Sequence, residues 1–329
     1  MKISEKAKVI NINDIEGFRI GQAENTEAGT GCTVIIAENE MAAGLDVRGG
    51  GPASRESELL KPLASAKTIN AVLLSGGSAF GLGAADGVMK YLEERGIGYD
   101  VGVTKVPLVC QSDLFDLTVG DAFVRPDSKM AYQACINSER KNYKDGNYGA
   151  GCGATVGKIL GVSRCMKSGI GSFAIRIGEL QIGAITAVNV FGDVYDAETG
   201  KKIAGLLDKD RKSLISTEDI MCENYKPVEN KFVGNTAISA VLTNGKFDKT
   251  QLCKIASMAQ AGYARSIAPV NTSADGDSIY ALASGKTAAD VDLVGTLAAK
   301  VISYSITAGV KSAKAAYGFI AYEDICDRG

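Results

Sequence analysis

One junction in this 329-residue chain carries residues that could do chemistry on their own backbone: Lys231-Phe-Val-Gly-Asn235-Thr236-Ala-Ile-Ser-Ala-Val-Leu-Thr-Asn244. A charged, irregular segment ends at Asn235, and an alternating run of small, β-branched and aliphatic residues begins at Thr236. A threonine hydroxyl can attack the carbonyl that precedes it. The Asn235–Thr236 peptide bond is therefore a candidate for self-cleavage, which would leave Thr236 as an N-terminal nucleophile. The dipeptide alone is weak evidence, because it also occurs at Asn25-Thr26 and Asn271-Thr272. Only the middle copy lies between a charged linker and a buried-strand pattern.

The chain has no histidine. That removes Ser-His-Asp and Cys-His sites, histidine zinc sites and histidine general bases. A hydrolase built from this sequence must take its base from a carboxylate, a lysine or an amine. Asp275-Gly276-Asp277 offers two acids on either side of a glycine. They read either as a turn with two solvated carboxylates or as a pair that holds an ammonium and a hydroxyl together. Gly149-Ala-Gly-Cys-Gly-Ala-Thr-Val-Gly157-Lys158 lacks the Walker glycine at Cys152 and the Ser or Thr at Ile159. What remains is a glycine-rich approach that delivers Lys158, either to the surface or close to a ligand. Gly76-Gly-Ser78-Ala-Phe-Gly81 resembles a nucleophile elbow, but Phe80 holds the last glycine position and Ser78 has no histidine to activate it. The overlapping Gly81-x-Gly83 lacks the third glycine of a dinucleotide fingerprint. Close helix–sheet packing explains that stretch better.

The elements that must position these residues are mixed. Strands are expected at 7–13, at Cys32–Glu38 and Ala43–Gly49 as a pair, and at Asn70–Ser75. Phe173–Ile177 and Leu180–Asn189 should form a hairpin about Gly178-Glu179, and a further strand starts at Thr236. Helices are expected from Pro52 to Leu60, from the Gly76 turn to about Arg95, and after Pro126. Asp248 and Gln251 form a capping box for a helix with Leu252, Ile255, Ala256 and Ala259 on its buried face. Thr287 and Asp290 start a last helix with Leu293, Leu297 and Val301 on one side. Ala316–Tyr322 reads as a closing strand, and Lys201–Lys231 as one long mobile loop. This mixture points to a layered α/β or α+β fold in a single domain spanning 1–329.

Hydrophobic residues make up 46% of the chain, enough for a large core, and the net charge is −2 with no long run of one sign. No nucleic-acid or membrane partner is implied. The N-terminus lacks an apolar signal region, and no apolar run approaches the roughly 18–20 residues of a membrane span. The eight cysteines never form Cys-x-x-Cys and read as reduced, mostly buried thiols of a cytoplasmic protein. No cofactor or metal is implied.

Several segments, taken in order, resemble the self-processing L-aminopeptidase/D-esterase (DmpA) family, which includes β-aminopeptidases and the nylon-oligomer hydrolases. They are Thr30–Val34, Arg48–Glu56, Leu74–Leu82, Val106–Val109, Phe115–Leu117, Gly149–Lys158, Gly234–Thr236 and Asp275–Asp277. The resemblance implies a four-layer αββα sandwich of the N-terminal-nucleophile type, shared with ornithine acetyltransferases. It further implies autocleavage into an α chain, 1–235, and a β chain, 236–329, assembled as homotetramers, acting on small peptides, amides or esters. Carried over residue by residue, Thr236 is the nucleophile, Asp275 and Asp277 its acidic partners, Lys158 the active-site lysine and Asn189 the oxyanion-stabilising asparagine. Thr with two Asp is closest to the nylon-hydrolase branch. Phe115 lies nearest that branch's active-site tyrosine, with Tyr148 a possible substitute. A transacylase of the same fold and a non-catalytic binding protein are the competing readings.

Overall fold

Strands whose residues are apolar on both faces need a cover on each face, and that requirement sets the layers here. The computed structural model describes residues 5–225 and 234–326. Its ten-stranded β-structure comprises β1 (Lys8–Ile10), β2 (Phe18–Asn25), β3 (Thr30–Val47), β4 (Ala53–Arg55), β5 (Ile69–Ser75), β6 (Val109–Asp113), β7 (Ile170–Ile177), β8 (Leu180–Asn189), β9 (Thr236–Gly245) and β10 (Ser278–Thr287). Four helices cover it: α1 (Ala85–Glu93), α2 (Ser128–Ser138), α3 (Lys249–Ser266) and α4 (Val291–Ser312).

The long strand β3 joins two sheets. Thr30–Ala37 pairs with β2 and β5, in a sheet ordered β2-β3-β5-β6-β4. After the exposed Glu38–Glu40, Ala42–Val47 pairs with β10 at the edge of a second sheet ordered β1-β7-β8-β9-β10-β3. What reads in sequence as two strands is thus one strand shared by two sheets.

Residue alternation along the strands then sorts side chains into three separate cores. Val34, Ile36, Ala71 and Leu73 pack outward against Val88 and Leu92 of α1 and Ala131 and Ala134 of α2. Ile35, Val72 and Leu74 face inward, meeting Ile185, Ile238, Ala240 and Leu242 of the other sheet. Ala237, Val241 and Ile279 face the opposite way, onto Leu252, Ile255, Ala256 and Ala259 of α3 and Leu297, Val301 and Ile306 of α4. Helix, sheet, sheet and helix stack in that order. This is the expected αββα sandwich.

The capping box of Asp248 and Gln251 starts α3 as expected, and Asp290 caps α4. At 22 residues, α4 is long and apolar enough by composition to cross a membrane, but 67% of that apolar window is buried in the core against α3 and the second sheet. Some expectations need correction. Leu293 is 44% exposed and lies off the buried face of α4. Pro52–Leu60 forms the short strand β4 and a single 3-10 turn, because β4 pairs with β6 and Glu56 takes a left-handed conformation. Ala316–Tyr322 is a tight turn closed by an Ala316–Phe319 bridge, followed by a short helix, Tyr322–Cys326.

The charged stretch expected as a loop is structured as far as Tyr225. Lys202–Ala204 forms a strand beside Asp193–Tyr195, which in turn pairs with Ile267–Ala268. Thr217–Glu223 is a helix capped by Ser216. Residues 226–231 of the expected loop lie outside the described residues. Composition was misleading because one buried carboxylate organises the segment. Asp193 accepts the Lys202 ammonium (2.7 Å), the Leu206 amide (3.0 Å), and the Thr217 amide (2.9 Å) and hydroxyl (2.8 Å). Asp193→Ala should therefore lower stability by roughly 3–5 kcal/mol, the usual cost of leaving half a buried pair. Urea unfolding would measure the loss, and limited proteolysis should find new cuts between residues 201 and 225.

Candidate active site

Three chain positions meet at one end of the second sheet because of strand direction. β9 and β10 run parallel, so their first residues share an end, and β8 runs antiparallel to β9, so its last residue joins them. Asn189 closes β8 opposite Thr236, which opens β9, and Asp277 immediately precedes β10. In the other sheet β5 and β6 are also parallel, and their final residues Ser75 and Asp113 pair. The chain beyond them brings Ser78 and Phe115 to the same end.

Thr236 and Asn235 are both buried. The Thr236 hydroxyl donates to the carbonyl oxygen of Asn235, the group it would attack. That oxygen also accepts the Gly276 amide at 3.1 Å, and Asn235 forms a parallel bridge with Asp275. Gly276 has to be glycine: a Cβ there would lie 2.8 Å from the Thr236 hydroxyl and 3.0 Å from the Gly51 carbonyl. Asp277 accepts the amides of Ala237 (2.7 Å) and Asn271 (2.9 Å). Asp275 takes the amide (2.8 Å) and hydroxyl (2.6 Å) of Thr272 on one oxygen, while its buried Oδ1 has no close hydrogen-bond partner among the described residues. The Gly49–Gly51 turn lies along both acids, with the Gly51 amide on the Asp275 carbonyl at 2.8 Å and the Arg48 amide on that of Asp277 at 3.0 Å.

Lys158 is buried beside them. Its Nζ donates to Asn189 Oδ1 (2.6 Å) and to the Gly234 carbonyl (3.1 Å). The glycine-rich run expected to deliver it does so by close packing: Gly157 has φ +75°, and a Cβ there would lie 2.1 Å from Gly205. Asn189 is fully committed. Its Oδ1 also accepts the Thr155 amide, and its Nδ2 donates to the Phe115 carbonyl at 3.0 Å. The five residues singled out from sequence therefore form one cluster around Asn235–Thr236.

Burial shifts every charge in the cluster toward neutrality. Desolvation pushes the Asp277 carboxyl up to about 7, helped by repulsion from Asp275. Asp275 is also raised by burial, with the Thr272 hydrogen bonds and Lys158 holding it back. Desolvation lowers Lys158 to about 8, against the pull of nearby Cys165, Asp275 and Asp116. Titratable groups poised near neutrality in a cleft are what proton-transfer chemistry needs.

A cavity of about 170 Å³ opens on this cluster, bounded by Thr236, Asn235, Gly234, Phe115, Ser78 and Asp113 among others. Phe115 lines it; Tyr148, the suggested tyrosine substitute, does not, and is 37% exposed beside Lys144. Asp113 was invisible in the sequence. It is buried, one oxygen accepts the Gln111 side-chain amide at 2.7 Å, the other has no partner among the described residues, and desolvation holds its carboxyl well above the usual range. A buried-strand pattern ending in Asp was the only signal available. Ser78 sits in a left-handed conformation (φ +54°) on the cavity wall, with its amide on the Leu114 carbonyl. The supposed elbow thus shapes the cleft. Its Gly77 amide donates to Asp116, which also accepts the Thr30 hydroxyl.

The profile of Peptidase family S58 matches residues 11–319. An uncharacterised aminopeptidase of Mycobacterium leprae is 36% identical over 85% of this chain and 80% of its own length. A 6-aminohexanoate-oligomer endohydrolase of Kocuria sp. is 28% identical over 86% and 76%. Among solved structures, a Burkholderia sp. β-aminopeptidase superposes with a TM-score of 0.68 at 17% identity, covering 96% of this chain and 92% of that one. An L-aminopeptidase D-Ala-esterase/amidase of Ochrobactrum anthropi, described as a variant of the Ntn hydrolase fold, gives 0.67 at 15% identity, covering 92% and 86%. The chain belongs to peptidase family S58 and is a hydrolase of peptide or related amide bonds.

Proposed function

We propose that the protein is a self-processing aminopeptidase or amidohydrolase that cuts its own Asn235–Thr236 bond and then uses Thr236 as an N-terminal nucleophile. The observation that carries this reading is the Thr236 hydroxyl lying on the Asn235 carbonyl oxygen, itself held by the Gly276 amide. In the uncut chain, Oγ1 attacks the Asn235 carbonyl carbon and the peptide C–N bond breaks, an N→O acyl shift. Water then hydrolyses the ester, giving the Asn235 carboxylate and a free Thr236 amine. Before cleavage that amine is unavailable as a base. Asp277, bound to the amide of the next residue and poised near neutrality, is the group best suited to take the hydroxyl proton. Afterwards the α-amine, ordinarily about 7.7–8.0, serves its own hydroxyl.

The Gly276 amide is the donor we assign to the developing oxyanion, a contact worth roughly 3–4 kcal/mol where such donors have been removed. For Asn189 to serve the same purpose it would have to release the Phe115 carbonyl. Its present bonds suit it to hold Lys158 in place. Lys158 supplies positive charge beside the reacting carbonyl, and Asp275 orients the new amine. Asp113, on the cavity wall with an oxygen that has no partner among the described residues, suits the ammonium of a substrate with a free amino end. The names of the relatives fit that class: aminopeptidases and an oligomer of an amino acid. Assembly into homotetramers, inherited from the resemblance, and a cytoplasmic location, read from the scattered cysteines, remain part of this proposal.

Intact-mass analysis of the purified protein tests the core claim. The wild-type chain should divide between Asn235 and Thr236, Thr236→Ala should stay whole, and Thr236→Ser should still divide. A wild-type chain that stays whole sinks the reading. Because Asp277 must be ionised to act, processing should accelerate as pH rises through about 7 and then level off. Asp277→Asn should slow it at least 100-fold and abolish that pH dependence, as followed by gel densitometry. Asp113→Asn should raise KM for free-amine substrates by about 10- to 100-fold, the 1.5–3 kcal/mol of a charged hydrogen bond. It should leave N-acylated esters almost unaffected.

A further inference from the structure

We infer that the groove holding Gly234 and Asn235 is a binding site for peptides ending in a Gly-Asn carboxylate, and that the enzyme's own severed tail is its first ligand and competitive inhibitor. This rests on the self-cleavage proposed above. The groove is specific. Gly234 packs against the base of the Phe115 side chain, where a Cβ would come within 1.9 Å of Cγ, so only glycine fits. The Gly234 carbonyl takes the Lys158 ammonium at 3.1 Å. Asn235 is 2% exposed, bridges to Asp275, and places its carbonyl on the Gly276 amide at 3.1 Å.

None of these contacts uses the Asn235–Thr236 bond. Hydrolysis adds OH to the Asn235 carbonyl and H to the Thr236 nitrogen, and leaves each contact available. The new carboxylate then forms beside the Thr236 amino group, one residue after the Gly234 carbonyl that the Lys158 ammonium holds. Asp275 opposes it, but burial raises the Asp275 carboxyl. With the tail in place the cavity is about 170 Å³, below the roughly 300–1,000 Å³ usual for a ligand site. Departure of the tail vacates the space that the substrate's acyl portion must take, since both place a carbonyl before Thr236.

The test uses processed enzyme, verified by intact mass, carrying a specific protease site inserted between Tyr225 and Gly234 so that the tail can be released after maturation. Release should lower KM for an aminoacyl p-nitroanilide severalfold without changing kcat. N-acetyl-Val-Gly-Asn acid, added to the tail-free enzyme, should bind at sub-millimolar concentration by titration calorimetry and restore competitive inhibition. N-acetyl-Val-Ala-Asn and the Gly-Asn amide should each bind at least tenfold more weakly. No heat and no inhibition at 5 mM, or equal binding of the alanine peptide, overturns the inference while self-cleavage stands. An unprocessed chain, seen by mass before any peptide is added, removes both readings together.

Discussion

The parallel pairing of β9 with β10 is the constraint on which the site depends. Parallel neighbours place their starts at the same end of a sheet, and the antiparallel β8 contributes its finish there. Thr236, Asp277 and Asn189 are far apart in the chain and come together only through that arrangement. Parallel strands need a crossover between them, which α3 provides by packing Leu252, Ile255 and Ala259 onto the sheet's outer face. A register slip of one residue in β9 would turn Ile238 and Ala240 out of the inter-sheet core. The core that holds the fold together also fixes the position of Thr236.

Around that point the protein keeps a lysine and several carboxylates out of water. An isolated buried charge is costly, and the response here is to move each group toward its neutral form and to bind it with backbone amides and carbonyls. Asp277 takes two amides, Asp275 takes Thr272, and Lys158 takes one side-chain and one backbone oxygen. The cost of burial is what brings Asp277 to about 7 and Lys158 to about 8. A chain with no histidine thereby acquires groups that exchange protons near neutral pH. Glycines at 49–51, 157 and 276 let backbone approach these groups closely enough to bind them.

The fold persists where sequence similarity is slight. TM-scores of 0.67–0.68 accompany identities of 15–17% in the solved relatives. Three apolar layers can be rebuilt from many combinations of small and aliphatic side chains, provided alternation and volume are kept. The site tolerates less variation, since Gly276 and Gly157 have no room for a side chain.

By itself the sequence determined the layered mixture of strands and helices, the hairpin about Gly178-Glu179, the capping box of α3, and the exclusion of histidine chemistry. All of these depend on local periodicity, caps or composition. It also marked Thr236, Asp275, Asp277 and Lys158 as candidates, through a junction, an acidic pair and a glycine-rich approach. Asn189, by contrast, could be found only by resemblance. Tertiary structure alone decided that β3 is a single strand serving two sheets, because the partner of each half is remote in sequence. It decided likewise that residues 201–225 are ordered, since their charged surface conceals one buried acid, Asp193. Asp113 and the Gly276 amide were beyond any sequence reading. A carboxylate becomes a cavity wall, and a backbone amide meets the Asn235 carbonyl, only when strands distant in the chain set their ends side by side.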